Sequence, residues 1–112
     1  LLTAMRVEAD EQLLEQLDAL KLILTNKEST TEQKNEAFEK MKKLNINKAE
    51  ETELENKIKE TYQLKTFIKI DGDQIKVVVD SSKHDTTLAN NIMRTIQENY
   101  ENKMYITVQF KG

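Results

Sequence analysis

The amino-acid sequence predicts an α+β fold in which helices form the first half of the chain and a three-stranded sheet backed by helices forms the second half. Three observations support this prediction. Residues 5–62 place apolar side chains at helical spacing, whereas residues 66–79 and 104–110 follow the pattern of strands. A single glycine between two strand-like segments marks a tight turn. The predicted order is two N-terminal helices followed by a helix-strand-strand-helix-strand unit.

The most specific local signal is a β-hairpin with a two-residue loop at Asp71-Gly72. Glycine at the second loop position accepts the positive φ that a type I′ turn requires. This loop pairs Ile68 with Ile75 and brings the apolar residues of both strands onto one face, because side chains alternate along a strand. The residues of that predicted core face are Ile68, Ile70, Ile75, Val77 and Val79.

A helix and a last strand are predicted after the hairpin. Asp85 can cap a helix whose apolar residues repeat at the spacing of one buried face. These residues are Leu88, Ala89, Ile92, Met93, Ile96 and Tyr100. The last strand, residues 104–110, alternates between apolar and mostly polar side chains. We expect a right-handed crossover, with the first strand lying between the other two and the crossover helix on the apolar face.

Three helices are predicted before the sheet. The first covers Met5 to Leu24, where leucines recur at helical spacing. Thr30 with Gln33 forms a capping-box pattern that opens a second helix. Asn47 with Glu50 repeats this capping signal and predicts the start of a third helix.

These elements divide the chain into an N-terminal helical hairpin, residues 1–46, and an αββαβ unit, residues 47–112. A length of 112 residues suits one domain and leaves no room for a second full core. We therefore expect the two parts to form one compact domain.

Composition excludes several classes of function. A net charge of -3 argues against nucleic-acid binding, because phosphates require a basic surface. The chain contains no cysteine, so disulfides and thiolate metal sites are excluded. No segment is long and apolar enough to span a bilayer. A partner, if there is one, is expected to be another protein.

The sequence offers no convincing catalytic or metal-binding motif. His84 stands beside Asp85, but no second histidine or cysteine accompanies the pair, and a solvated loop before a helix explains both residues. The run Asp71-Gly72-Asp73 is similar to the opening of a calcium loop, yet Lys76 and Ser82 occupy positions that need glycine and glutamate. We expect no enzymatic activity, no metal and no cofactor.

A KH-like nucleic-acid-binding domain is the alternative from another functional class, since its architecture is close to the predicted one. The glycine-rich clamp of KH domains is absent here, because the chain has only two glycines, Gly72 and Gly112. Low glycine content also excludes phosphate-binding loops.

The second face of the sheet is the candidate site for a protein partner. It carries three apolar side chains among polar ones, and helices could cover it or leave it as an ordinary half-apolar surface. If it is open, it provides a flat contact surface beside the edge of the last strand. The predicted partner-binding residues are Phe67, Val78, Tyr105, Thr107 and Gln109.

Three segments spread over almost the whole chain carry a family resemblance. They are Met5-Arg6-Val7-Glu8, Glu36-Ala37-Phe38-Glu39-Lys40-Met41, and the stretch from Leu54 through Asp71-Gly72-Asp73 to Ser81-Ser82-Lys83-His84. On these residues the sequence resembles the stage III sporulation protein AH (SpoIIIAH) family of endospore-forming bacteria. The unit 47–110 also resembles the ring-building motif of ring lipoproteins in type III secretion basal bodies.

The resemblance implies a structural and binding role in sporulation. It implies a soluble part that projects into the intermembrane space around the forespore and binds stage II sporulation protein Q (SpoIIQ) within a channel-like assembly. Family members are tethered to the mother-cell membrane by an N-terminal segment, which we expect upstream of this sequence. The ring-building motif implies assembly into homo-oligomeric rings, although we expect a monomer when the domain is isolated.

Overall fold

The computed structural model describes residues 1–112 and contains three helices and one three-stranded sheet, which confirms the predicted α+β class. The elements in chain order are α1 (Leu2–Thr25), α2 (Thr31–Tyr62), β1 (Thr66–Asp71), β2 (Gln74–Asp80), α3 (Thr86–Gln97) and β3 (Tyr105–Lys111).

The helix α2 begins where the capping box predicts. The Thr30 hydroxyl accepts a hydrogen bond from the Gln33 N–H at 3.1 Å, and the Gln33 side chain accepts one from the Thr30 N–H at 2.8 Å.

The predicted start of a third helix at Asn47 is wrong, because Asn47 lies inside α2, a single helix of 32 residues. No proline or glycine interrupts it, and the Lys48 ammonium lies 2.7 Å from Asp10 of α1, so one face of α2 packs along α1 without a break. The domain boundary predicted between residues 46 and 47 falls inside this helix.

The strand order is β1-β2-β3, with β1 and β2 antiparallel and β2 and β3 parallel. The prediction that the first strand lies in the middle is therefore wrong. The central strand is β2, whose run Val77, Val78 and Val79 is fully buried on both faces. Such an unbroken β-branched run is typical of a strand that is covered on both faces. The expected edge position of the last strand is confirmed.

The hairpin loop lies one residue later than predicted. Asp71 pairs with Gln74 and Ile70 with Ile75, so the loop consists of Gly72 and Asp73. Of these two, only Gly72 has a positive φ, at 61°, which matches glycine at the first position of a type II′ turn rather than type I′. Relative to the prediction, each residue of β1 shifts its partner by two positions. A shift of two keeps every side chain on its predicted face.

The core forms where α2 and α3 pack on one face of the sheet. It consists of the predicted apolar residues of the sheet together with two residues from each helix. These residues are Leu54, Ile58, Ile68, Ile70, Ile75, Val77, Val79, Ile92 and Ile96. The helix α3 begins at the predicted cap, where the Asp85 carboxylate accepts a hydrogen bond from the Leu88 N–H at 3.1 Å. The crossover helix therefore covers the apolar face, as predicted.

Candidate partner-binding surface

The five residues predicted to bind a partner lie on the sheet face opposite the core, but only three of them are open to solvent. Phe67 of β1 is 6% exposed and Val78 of β2 is 0% exposed, whereas Tyr105 of β3 is 58% exposed. Thr107 and Gln109 are also exposed. Phe67 and Val78 are therefore not available as contact residues, because both are enclosed within the chain.

The cover over β1 comes from α1. The Arg6 guanidinium lies 4.7 Å from the centroid of the Phe67 ring, in the arrangement of a cation–π contact. Val78 pairs with Phe67 of β1 on one side and with Gln109 of β3 on the other, so it lies between them in the middle of the sheet. Helix cover, one of the two alternatives left open by the sequence, thus applies to Phe67 of β1.

The half of the face formed by β3 is open. Along β3 the side chains alternate between exposed and half-buried from Tyr105 to Lys111. The sheet order places no strand beyond β3, so the backbone groups on its outer side have no neighbouring strand. The strand contains no proline and no charged residue before Lys111. An edge of this kind is a template for an added strand unless something protects it.

A shallow groove of about 500 Å³ adjoins this edge between α3 and β3. Met93 and Arg94 line it from α3, and Met104 and Tyr105 line it from the β3 side. The sequence predicts Met93 in the apolar stripe of the helix, but it gives no pattern that links α3 to the candidate surface. The only sequence signal for that connection is the short segment between α3 and β3, which forces the two elements to stay close.

Gln97, at the end of α3, fixes the position at which β3 begins. Its side-chain oxygen accepts a hydrogen bond from the Met104 N–H at 2.8 Å, and its side-chain N–H₂ donates to the Asn102 carbonyl at 2.9 Å. These bonds satisfy backbone groups in the loop before β3 and hold the first residue of the open strand, Tyr105, in place.

The residue with a clearly shifted pKa, Tyr100, lies outside this surface. Burial raises the pKa of the Tyr100 hydroxyl to about 12, with further contributions from the charge of Glu50 and from a hydrogen bond to its carboxylate, and from the charge of Glu51. The Tyr100 hydroxyl donates this bond to Glu50 at 3.2 Å and so ties the segment after α3 to α2.

The single histidine of the chain lies on the surface. His84 is exposed, and its ring packs edge-to-face on Phe110 with centroids 5.9 Å apart. No group of three or more His, Cys, Asp or Glu side chains is arranged to hold a metal ion. None of the helices has the length and apolar character needed to cross a membrane.

Comparison with known proteins assigns the chain to a family. The model of the SpoIIIAH-like protein family matches residues 1–108. The chain belongs to the SpoIIIAH-like family. The predicted family is thereby confirmed, and with it the link to sporulation.

The fold of this SpoIIIAH-like chain also matches a chain in the solved structure of the SpoIIQ-SpoIIIAH pore forming complex. The match has a TM-score of 0.85 and 24% sequence identity, and it covers 97% of this chain and 95% of that chain. At this identity the match establishes the shared fold. No curated protein matches the sequence.

Proposed function

We propose that this SpoIIIAH-like chain is a non-enzymatic docking module that binds SpoIIQ in the intermembrane space between mother cell and forespore. The observation that carries the proposal is the fold match over 97% of the chain to a protein solved in the SpoIIQ-SpoIIIAH complex. We place the contact with SpoIIQ at the open edge of β3.

On this proposal the partner adds a strand to the outer edge of β3. Backbone hydrogen bonds along the strand supply affinity, and exposed side chains on alternate positions supply specificity. Tyr105 contributes the largest apolar area, since aromatic side chains offer much contact area at low entropic cost. Thr107 and Gln109 lie on the same exposed face and flank the added strand. Phe67 and Val78 take no direct part, because they are buried.

Assembly beyond this pair depends on concentration. The net charge of -3 and the 33% content of charged residues favour a soluble monomer in isolation. Rings of the ring-building type then require a partner, a membrane tether or a high local concentration. Sedimentation velocity of the isolated chain should show a monomer, and stable rings without a partner would contradict this part of the proposal.

The first test is titration calorimetry with the soluble domain of SpoIIQ from the same organism. We expect binding at micromolar concentrations or tighter. Absence of binding under these conditions would remove the proposed function.

The second test locates the contact with a matched pair of variants. Tyr105→Ala and Phe38→Ala remove aromatic side chains that are each 58% exposed, one on β3 and one on α2. Both should change the unfolding free energy by no more than about 0.5 kcal/mol, as surface substitutions usually do. Tyr105→Ala should weaken SpoIIQ binding about tenfold or more, the loss typical of an aromatic anchor, and Phe38→Ala should not. Equal affinities for the two variants would exclude the β3 surface while leaving SpoIIQ binding intact.

The KH-like alternative receives no support from the fold, which has no glycine clamp between its helices. Fluorescence anisotropy with single-stranded oligonucleotides at low salt should show no binding, because the chain is acidic.

A further inference from the structure

The outer edge of β1 is closed by two carboxylates of α2. The Ile68 N–H donates a hydrogen bond to the Glu55 carboxylate at 2.9 Å, and the Ile70 N–H donates one to the Glu51 carboxylate at 2.8 Å. Because alternate residues of an edge strand direct their N–H groups away from the sheet, these are the groups that a fourth strand would bind. The glutamates therefore occupy the positions of that strand's carbonyl oxygens.

The fit follows from the geometry of the two elements. Glu51 and Glu55 are four residues apart on a helix, which separates them by about 6 Å along the axis. Ile68 and Ile70 are two residues apart on a strand, which separates their N–H groups by about 6.8 Å. One helix face can thus present two acceptors at nearly the repeat of a strand edge.

Arg6 of α1 makes this arrangement possible. Glu51 is only 3% exposed, and a buried carboxylate is costly unless it is paired and hydrogen-bonded. The Arg6 guanidinium forms an ion pair with Glu55 and lies 3.9 Å from the second oxygen of Glu51. The same guanidinium packs over Phe67. One cation therefore balances both glutamates and covers the strand that they close.

We propose that Arg6, Glu51 and Glu55 form an edge seal that prevents strand addition at β1 and restricts it to β3. The excluded strand is β3 of a second copy. A chain with both edges open could join β1 to β3 of the next copy, and such head-to-tail contacts continue into open filaments. With β1 sealed, each sheet accepts one added strand, at β3, and head-to-tail growth of the assembly ends there. This inference rests on the open β3 edge of the proposed function, but it does not depend on which partner binds there.

The test uses variants of the full chain that differ in whether residues 51 and 55 keep an acceptor. The double variant Glu51→Ala/Glu55→Ala removes both acceptors, whereas Glu51→Gln/Glu55→Gln keeps a carbonyl oxygen at each position. Glu53→Ala removes an exposed glutamate of the same helix and serves as the control. Hydrogen exchange of backbone amides by NMR reports the seal, and sedimentation velocity reports self-association.

In the alanine variant, exchange of the Ile68 and Ile70 amides should accelerate about tenfold or more relative to the Val78 amide, because their acceptors are gone. The variant should also self-associate as its concentration rises, with concentration-dependent shifts confined to β1 and β3. Glu53→Ala should retain amide protection and stay monomeric. The glutamine variant keeps an acceptor at each position but loses the charges that face Arg6, so its Ile68 and Ile70 amides should stay more protected than those of the alanine variant and it should self-associate less.

Three results would overturn the proposal. They are unchanged exchange at Ile68 and Ile70 in the alanine variant, lost protection without self-association, and association through surfaces other than β1 and β3. If the double alanine variant does not fold, Glu55→Ala alone gives the same test at the Ile68 amide. Glu55 is less buried than Glu51, so its removal disturbs the fold less.

Discussion

The continuity of α2 is tested most directly by proline at residue 48. In one continuous helix, the Lys48 N–H bonds to the carbonyl of Leu44, and proline both removes that bond and clashes with the carbonyl. If Asn47 instead capped a separate helix, residue 48 would be its first helical position, where proline is favoured. The two arrangements therefore predict opposite outcomes for Lys48→Pro.

The matched control is Lys48→Ala, which removes the ion pair with Asp10 but keeps the helix. That pair is partly exposed, with side-chain exposures of 33% and 48%, so its loss should cost no more than about 1 kcal/mol. Lys48→Pro should cost about 3 kcal/mol beyond Lys48→Ala, because the position lies in the interior of a 32-residue helix. Urea unfolding followed by circular dichroism at 222 nm gives both values by linear extrapolation. A difference below about 1 kcal/mol would refute the continuous helix.

Three further predictions concern single side chains. Tyr100→Phe should remove from an ultraviolet titration the phenol that ionises near pH 12, and Glu50→Gln should lower the pKa of Tyr100. Because the pKa of Tyr100 in the folded chain lies above the ordinary 10, its contribution to stability should be lost as pH rises from about 10 to about 12. Ile58→Ala should cost about 2–5 kcal/mol in urea unfolding because Ile58 is 0% exposed, and Ile46→Ala, at 48% exposed, should cost at most about 0.5 kcal/mol; equal losses would contradict the described core. Gly72→Ala should destabilise the chain by about 1–2 kcal/mol through backbone strain alone, since φ is 61° and nothing crowds the added Cβ, and an unchanged midpoint would contradict the turn.

The sequence predicted the fold class and the core face because both depend on local periodicity. Alternation in the strands and the stripe of α3 are properties of a few neighbouring residues, and both survive in the structure. The predicted strand order is wrong because crossover geometry does not by itself decide which strand is central. The run Val77 to Val79 indicates a strand covered on both faces, which favours β2 as the central strand. The extra helix was predicted because Asn47 and Glu50 satisfy a capping pattern that also occurs inside helices when no helix-breaking residue accompanies it.

The sequence also indicates only part of the exposure of the candidate surface, because local periodicity does not show which helix covers a strand. Exposure of Tyr105, Thr107 and Gln109 follows from alternation along an edge strand, which the sequence displays. Burial of Phe67 depends on Arg6, which is 61 positions earlier in the chain and reaches the ring only because α1 packs beside the sheet. No local pattern encodes such a contact, so the alternation of β1 could not decide between an open face and a face covered by a helix.

The role of α1 links the hairpin to the sheet more closely than the predicted division at residue 46 suggests. None of the residues of α1 is fully buried, so apolar burial alone gives this helix a modest share of the stability. Its Arg6 nevertheless balances Glu51 and Glu55, which lie in the unit predicted to begin at residue 47. A chain that began there would retain the buried carboxylate of Glu51 without its cation and would expose Phe67. Because removing one partner of a buried ion pair costs far more than the pair contributes, we expect the αββαβ unit to depend on the first helix for a closed and stable sheet.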